Sequence, residues 1–166
     1  MSDRCFIAAK APRPGIAKTR LAASIGPDRA LELYRAFLRD LADRFTGAPF
    51  PLGWYVTPPD AWADLAPLVR RGGTAPQVLA QPAGDWGERQ SALFRTARSR
   101  GEERTVLIAS DSPQVTPAVV QEAFAALDDA ELLRSLVNRA FVSARVIASS
   151  LQQLERRRRE PARRVL

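Results

Sequence analysis

Short apolar runs alternate with helix-periodic segments along the first 127 residues, and that alternation leaves the chain few architectures. Cys5-Phe-Ile-Ala-Ala centres a strand expected at 4–9. From Pro27 to Phe45, Ala30, Tyr34, Phe37, Leu41 and Phe45 recur at helical spacing, and Pro27 suits a first helical turn. Leu52 to Thr57 reads as a second strand, stopped by Pro58-Pro59, and Asp60 to Arg71 as a short helix closed by Gly72-Gly73. Gln77 to Gln81 follows as a third strand, then Asp85 to Arg100 as a helix ended by Gly101. Thr105 to Ala109 is a continuous apolar run of the kind buried on both faces of a sheet. Thr116 caps and Pro117 opens a last helix, with Val120, Phe124 and Leu127 along one side. Strands alternating with helices predict a three-layer α/β/α domain with a mainly parallel sheet.

The first strand leads into Lys10-Ala-Pro-Arg-Pro-Gly-Ile-Ala-Lys-Thr-Arg-Leu. Lys10, Arg13, Lys18 and Arg20 fall within eleven residues, with no acid between Asp3 and Asp28. Pro12, Pro14 and Gly15 forbid regular structure and are expected to leave backbone N–H groups free for a ligand. Ligands of open α/β sheets sit outside the carboxyl ends of strands. A basic loop at that place suits a small polyanion, most simply a nucleotide diphosphate. A basic loop can equally be just solvated. The segment is not a phosphate-binding loop of the Gly-Lys type, because Ala17 precedes Lys18, and Gly15 stands alone without the further glycines of a dinucleotide-binding turn.

Histidine is absent, which removes Ser-His-Asp and Cys-His catalysis, imidazole bases and His-based zinc sites. Any chemistry must use carboxylates, Lys, Arg, hydroxyls or a hard metal ion. The one cysteine, Cys5, lies in the first strand, reads as core filling and fits a reducing compartment. No signal peptide is visible and no apolar run approaches the ~20 residues of a membrane span, so a cytoplasmic protein without a membrane partner is expected. The net charge of +7 is unevenly spread. Residues 1–129 carry 16 Lys and Arg against 15 acids, and residues 130–166 carry 9 Arg against 3. The body is therefore nearly neutral, and nucleic acid is not its expected partner.

Ser110-Asp111-Ser112-Pro113 directly follows the Thr105–Ala109 strand. A carboxylate there stands at the rim where ligands bind, and Asp111 is the candidate ligand for Mg²⁺ or Mn²⁺, ions that take oxygen ligands and bridge to substrate phosphates. The same residues are also ordinary turn chemistry, with Asp111 accepting backbone N–H bonds. Gln81-Pro-Ala-Gly-Asp-Trp-Gly-Glu-Arg follows the third strand. Gly84 and Gly87 allow close approach of a ligand, and Asp85, Glu88 and Arg89 supply polar groups, although acids in a first helical turn also simply suit the dipole. Trp54, Trp62 and Trp86 read as core or partly exposed packing residues rather than base-stacking platforms. In a parallel sheet the three segments would meet at one edge. Such a site could hold a metal–diphosphate leaving group, its developing charge met by Lys18, Arg20 and the ion.

These motifs, with Gly26 and the helix carrying Ala30, Tyr34 and Asp40, resemble one bacterial family over residues 4–127. It is the family of GT-A-like transferases encoded near radical-SAM proteins, of arsenosugar-biosynthesis glycosyltransferase type. The chain is similar, more distantly, to phospholactate guanylyltransferases and molybdenum-cofactor nucleotidyltransferases. The resemblance implies a nucleotide-diphospho-sugar transferase fold. It implies phosphate binding by Lys10, Arg13, Gly15, Lys18, Thr19 and Arg20, a metal at Asp111, and catalytic roles for Asp111 and Lys18. It further implies nucleotide or substrate contacts from Gln81, Gly84, Asp85, Glu88, Arg89, Ser110 and Ser112. The expected substrates are a nucleotide sugar and a small-molecule acceptor, or a nucleoside triphosphate if the activity is nucleotidyl transfer. Trp86 stands where the family usually has Leu.

The pattern changes after Asp129, giving an expected division into a nucleotide-binding domain at 1–129 and a helical, Arg-rich extension at 130–166. The family continues with a strand, a Gly-Pro and an Asp-Gly-Gly-Tyr segment on the acceptor side, and none of these occurs here. The sequence therefore reads as a truncated member whose turnover is impaired. Instead Leu133, Val137, Ala140, Ala144, Ile147, Leu151 and Leu154 recur at spacings of 4 and 3, ahead of Arg156–Arg159 and Arg163-Arg164. Three readings stay open: a C-terminal helix docked over the sheet, a homodimer helix over 131–155, or a tail arising from truncation or frame change. A non-catalytic remnant that oligomerises or binds nucleic acid through this tail is the alternative of another class.

Overall fold

The computed structural model describes residues 2–71 and 75–128. They form the strands β1 (Asp3–Lys10), β2 (Leu52–Thr57), β3 (Gln77–Ala80) and β4 (Arg104–Ala109). The helices are α1 (Thr19–Ile25), α2 (Pro27–Arg44), α3 (Trp62–Val69), α4 (Trp86–Ser99) and α5 (Pro117–Asp128). The strands lie in the order β3-β2-β1-β4, all parallel. The expected α/β class holds. The closure at Gly72-Gly73, the helical repeat at 133–154 and the Arg clusters lie outside the described residues.

Alternation along β1 assigns the two faces. Cys5, Ile7 and Ala9 pack with Trp54, Val56, Val106 and Ile108 under Tyr34, Leu38 and Leu41 of α2, Leu65 and Val69 of α3, and Val120 and Phe124 of α5. Phe6 and Ala8 pack with Tyr55 and Leu107 under Leu93 and Ala97 of α4. Both faces of the central strands are thus covered, as continuous apolar runs require. Phe6 lies beside Gly53 in the β1–β2 register, and a Cβ at Gly53 would come within 2.5 Å of the Phe6 ring. Glycine is used there for space.

The connections fix where a ligand can sit. The path from β1 through β2 to β3 crosses by α2 and α3 on one face; the return from β3 to β4 crosses by α4 on the other. The strand order therefore reverses between β1 and β4, and the crevice beyond their carboxyl ends is a topological switch point.

One element departs from expectation. Thr19 and Arg20 were expected in loop and instead open α1. The seven-residue helix has no side-chain cap and no buried residue of its own, so it carries no hydrophobic stripe for a reading of periodicity to find. It packs along α2.

Candidate functional site

The basic loop closes chiefly on itself. Arg13-Pro14-Gly15-Ile16 is a tight turn, with Ile16 N–H donating to Arg13 O at 3.2 Å and Gly15 at φ 75°. Pro at the second and Gly at the third position are what a type II turn demands. Ala17 N–H also reaches Arg13 O, Arg13 N–H donates to Ala11 O, and Ala11 N–H donates to Thr57 O. The expectation that this loop turns its backbone donors toward a ligand is therefore corrected for Ala11, Arg13, Ile16 and Ala17. Proline and glycine create the turn, and the turn consumes the donors.

The cations divide. Arg13 is bound to α3: its Nη2 lies 2.5 Å from Asp64 Oδ2 and 3.0 Å from Asp60 Oδ2, and its Nε donates to Asp64 at 2.8 Å. Donating hydrogen bonds to Asp60 and to Asp64 raises its pKa, so the guanidinium stays charged and braced. Lys18 goes the other way. Its Nζ stands 3.5 Å from Asp111 Oδ2, bridging the loops that follow β1 and β4. Its side chain is 18% exposed and that of Asp111 60%. Lys18 has φ 55° and ψ 35°, the only non-glycine residue with positive φ among those described. Such conformations cost about 1–3 kcal/mol and cluster at functional sites. Lys10 and Arg20 lie exposed at the same edge, with Arg20 two residues beyond Lys18.

Tyr34 joins the two sides. Its hydroxyl accepts from Lys10 N–H at 3.0 Å, lies 3.1 Å from Lys10 O and lies 3.1 Å from Ser110 Oγ. The ends of β1 and β4 are thus tied at the switch point, where Ser110 N–H also donates to Ala8 O at 3.0 Å. Burial raises the Tyr34 pKa against the opposing effect of the Ser110 and Lys10 hydrogen bonds, which keeps the proton this junction needs. Helical periodicity at 27–45 places Tyr34 on a buried face, but nothing in it foretells a polar junction.

The third segment shares the rim but stands apart. Gln81 is buried, donating its backbone N–H to Val56 O and its Nε2 to Tyr55 O, so it extends the sheet. Asp85 caps α4, accepting from Glu88 N–H, while Glu88 Oε2 accepts from Asp85 N–H in a closed capping box. Arg89 Nε donates to Gly84 O. Among the described residues no hydrogen bond or ion pair joins these groups to Lys18 or Asp111. Ser112 N–H donates to Ala109 O, ordinary turn chemistry beside the exposed Asp111 carboxylate. Trp54 is buried, Trp62 partly buried and Trp86 45% exposed at the start of α4.

As a metal site the junction of β1 and β4 offers one carboxylate, Asp111, since Asp85 and Glu88 are engaged in the α4 capping box. No cluster of three or more His, Cys, Asp or Glu residues is present among the described residues. A single accessible carboxylate suits Mg²⁺ or Mn²⁺ held jointly with substrate phosphates, and does not make a preformed all-protein cage. No helix among the described residues is long and apolar enough to cross a membrane.

Three comparisons bear on this geometry. A family described as an uncharacterized protein conserved in bacteria, DUF2064, matches residues 54–139. The match covers the loops after β3 and β4; the basic loop precedes it. A solved structure from Desulfovibrio desulfuricans G20, of a provisionally assigned nucleotide-diphospho-sugar transferase, superimposes with a TM-score of 0.68 at 30% identity. The alignment covers 77% of this chain and 55% of that one, so the chain spans little more than half the length of that protein. No curated protein matches. The fold is of the nucleotide-diphospho-sugar transferase type.

Proposed function

This chain belongs to the DUF2064 family of bacterial proteins, and from that premise we propose that it binds a nucleotide-diphospho-sugar at the rim between β1 and β4 and serves glycosyl transfer to a small-molecule acceptor. The observation that carries the reading is the Lys18–Asp111 pair across the switch point. Opposite charges from two distant segments are brought to the one crevice where parallel sheets of this kind take ligands.

The roles follow from the side chains. Lys18 places a compact charge against the diphosphate, with Lys10 and Arg20 adding longer-range attraction. Arg13 shapes the loop through Asp60 and Asp64 and meets phosphate only by leaving them. Asp111 would hold Mg²⁺ or Mn²⁺ together with the donor's own phosphate oxygens, and the ion would supply charge neutralisation as the diphosphate departs. Asp85 and Glu88 fix the start of α4, and Gly84, at φ 120°, leaves the room that the Glu88 side chain occupies. The motifs support the finer reading that the parent family is the GT-A-like, radical-SAM-associated type.

Isothermal titration of the full chain with UDP-, GDP- and ADP-sugars, each with and without Mn²⁺, tests the proposal. One donor should bind with Mn²⁺ dependence, and Asp111→Ala should abolish that dependence. Binding that Asp111→Ala leaves unchanged, or no binding of any donor, would defeat it. Tight binding of a nucleoside triphosphate alone would move the reading to nucleotidyl transfer.

A further inference from the structure

Of the 25 basic residues in the chain only Lys10 and Lys18 are lysines, and both stand in the basic loop. The Lys18 ammonium lies 5.4 Å from the Tyr34 ring centroid and 5.6 Å from that of Phe37. Both distances fall within the range at which a ring face attracts a cation. Tyr34 and Phe37 are three residues apart on α2 and therefore neighbours on its surface. The Tyr34 ring is itself registered to the sheet, because its hydroxyl is bonded at the ends of β1 and β4.

A 3.5 Å ion pair to a largely exposed carboxylate does little to fix a four-carbon side chain. The rings do more, taking one side of the ammonium while another side faces Asp111.

We propose that Tyr34 and Phe37 are positioning residues that hold the Lys18 ammonium at the β1–β4 rim, ready for the diphosphate of a donor. The diphosphate part rests on the function proposed above; the cradle itself does not. Compactness explains the residue choice, since a guanidinium is broader, planar and suited to stacking and bidentate pairing. Phe37 is only partly buried, so Phe37→Leu tests the cradle without emptying the core.

With two lysines in the chain, ¹³C-lysine NMR resolves each side chain, and inorganic pyrophosphate serves as the binding probe. In the unliganded wild type the Lys18 side-chain signals should carry an upfield ring-current shift that Lys10 lacks. Phe37→Leu should reduce that shift and leave Lys10 unmoved. The same change should weaken pyrophosphate binding about three- to tenfold. In a Lys18→Met background, Phe37→Leu should weaken it no further, because the ring acts only through Lys18. An unshifted Lys18 signal, or an equal loss of affinity in both backgrounds, overturns the proposal. Should the wild type bind no pyrophosphate while the Lys18 shift responds to Phe37→Leu, the functional reading falls and the cradle stands.

Discussion

Lys18 holds a left-handed backbone that an L-residue adopts only at a cost, and it does so where no glycine has replaced it. Comparing Lys18→Gly with Lys18→Ala isolates that cost, since both variants lack the charge and only one keeps a Cβ. Lys18→Gly is expected to be about 1 kcal/mol the more stable, read from denaturant midpoints, with both variants losing affinity for polyphosphate. Equal midpoints would show that the backbone at 18 is not strained. The sequence supplied Lys18 and Asp111 as candidates through their places after strand-like runs. It gave no hint of Arg13's attachment to Asp60 and Asp64, because those acids lie some fifty residues away and look like ordinary members of a helix start. Nor did it foresee Tyr34 and Phe37 as partners of a cation. The spacing that marks a buried helical face says nothing about what lies over its edge.

At the scale of elements, the apolar runs and caps were legible because their signals are local. Asp85 marked the start of α4, and its closed capping box with Glu88 is a finer role than the dipole-suited acids the sequence reading gave. Asp85→Ala should cost about 1 kcal/mol and leave the sheet intact, measured as a lowered melting temperature with unchanged circular dichroism at low temperature. β2 carries a different kind of dependence. Gly53 makes room for the Phe6 ring on the next strand, so Gly53→Ala should lower stability by about 1–3 kcal/mol through overpacking, seen as a shifted urea midpoint. A midpoint equal to wild type would mean that Phe6 has space to yield. α1 escaped the sequence reading for the complementary reason. It is short, uncapped and contributes no buried residue, and it forms where the turn at Arg13–Ile16 delivers the chain onto α2.

For the whole molecule, the buried acidic groups set an alkaline limit. Burial raises the Cys5 thiol well above its ordinary range and also raises Tyr34 and Tyr55. An unfolded chain would ionise its cysteine near pH 8.5 and its tyrosines near pH 10. The folded chain holds those protons longer, so the stability they lend is complete below about pH 8 and declines as pH rises further. With no histidine, no imidazole step interrupts the range from pH 5 to 8. Urea midpoints from pH 6 to 11 should be flat at first and then fall, and Cys5→Ala should delay the start of the fall; a fall that begins below pH 7.5 would contradict this. The sequence by itself determined the class of fold, the succession of strands and of every helix but α1, and the charges waiting at strand ends, because each is written in neighbouring residues through side-chain period, turn chemistry and capping. Tertiary structure alone decided that β1 lies beside β4 and not β3. That adjacency sets Lys18 against Asp111 while Arg13 turns away to α3, and it follows from how helices cover the two faces of one sheet, a balance of packing over the whole domain that no local segment encodes.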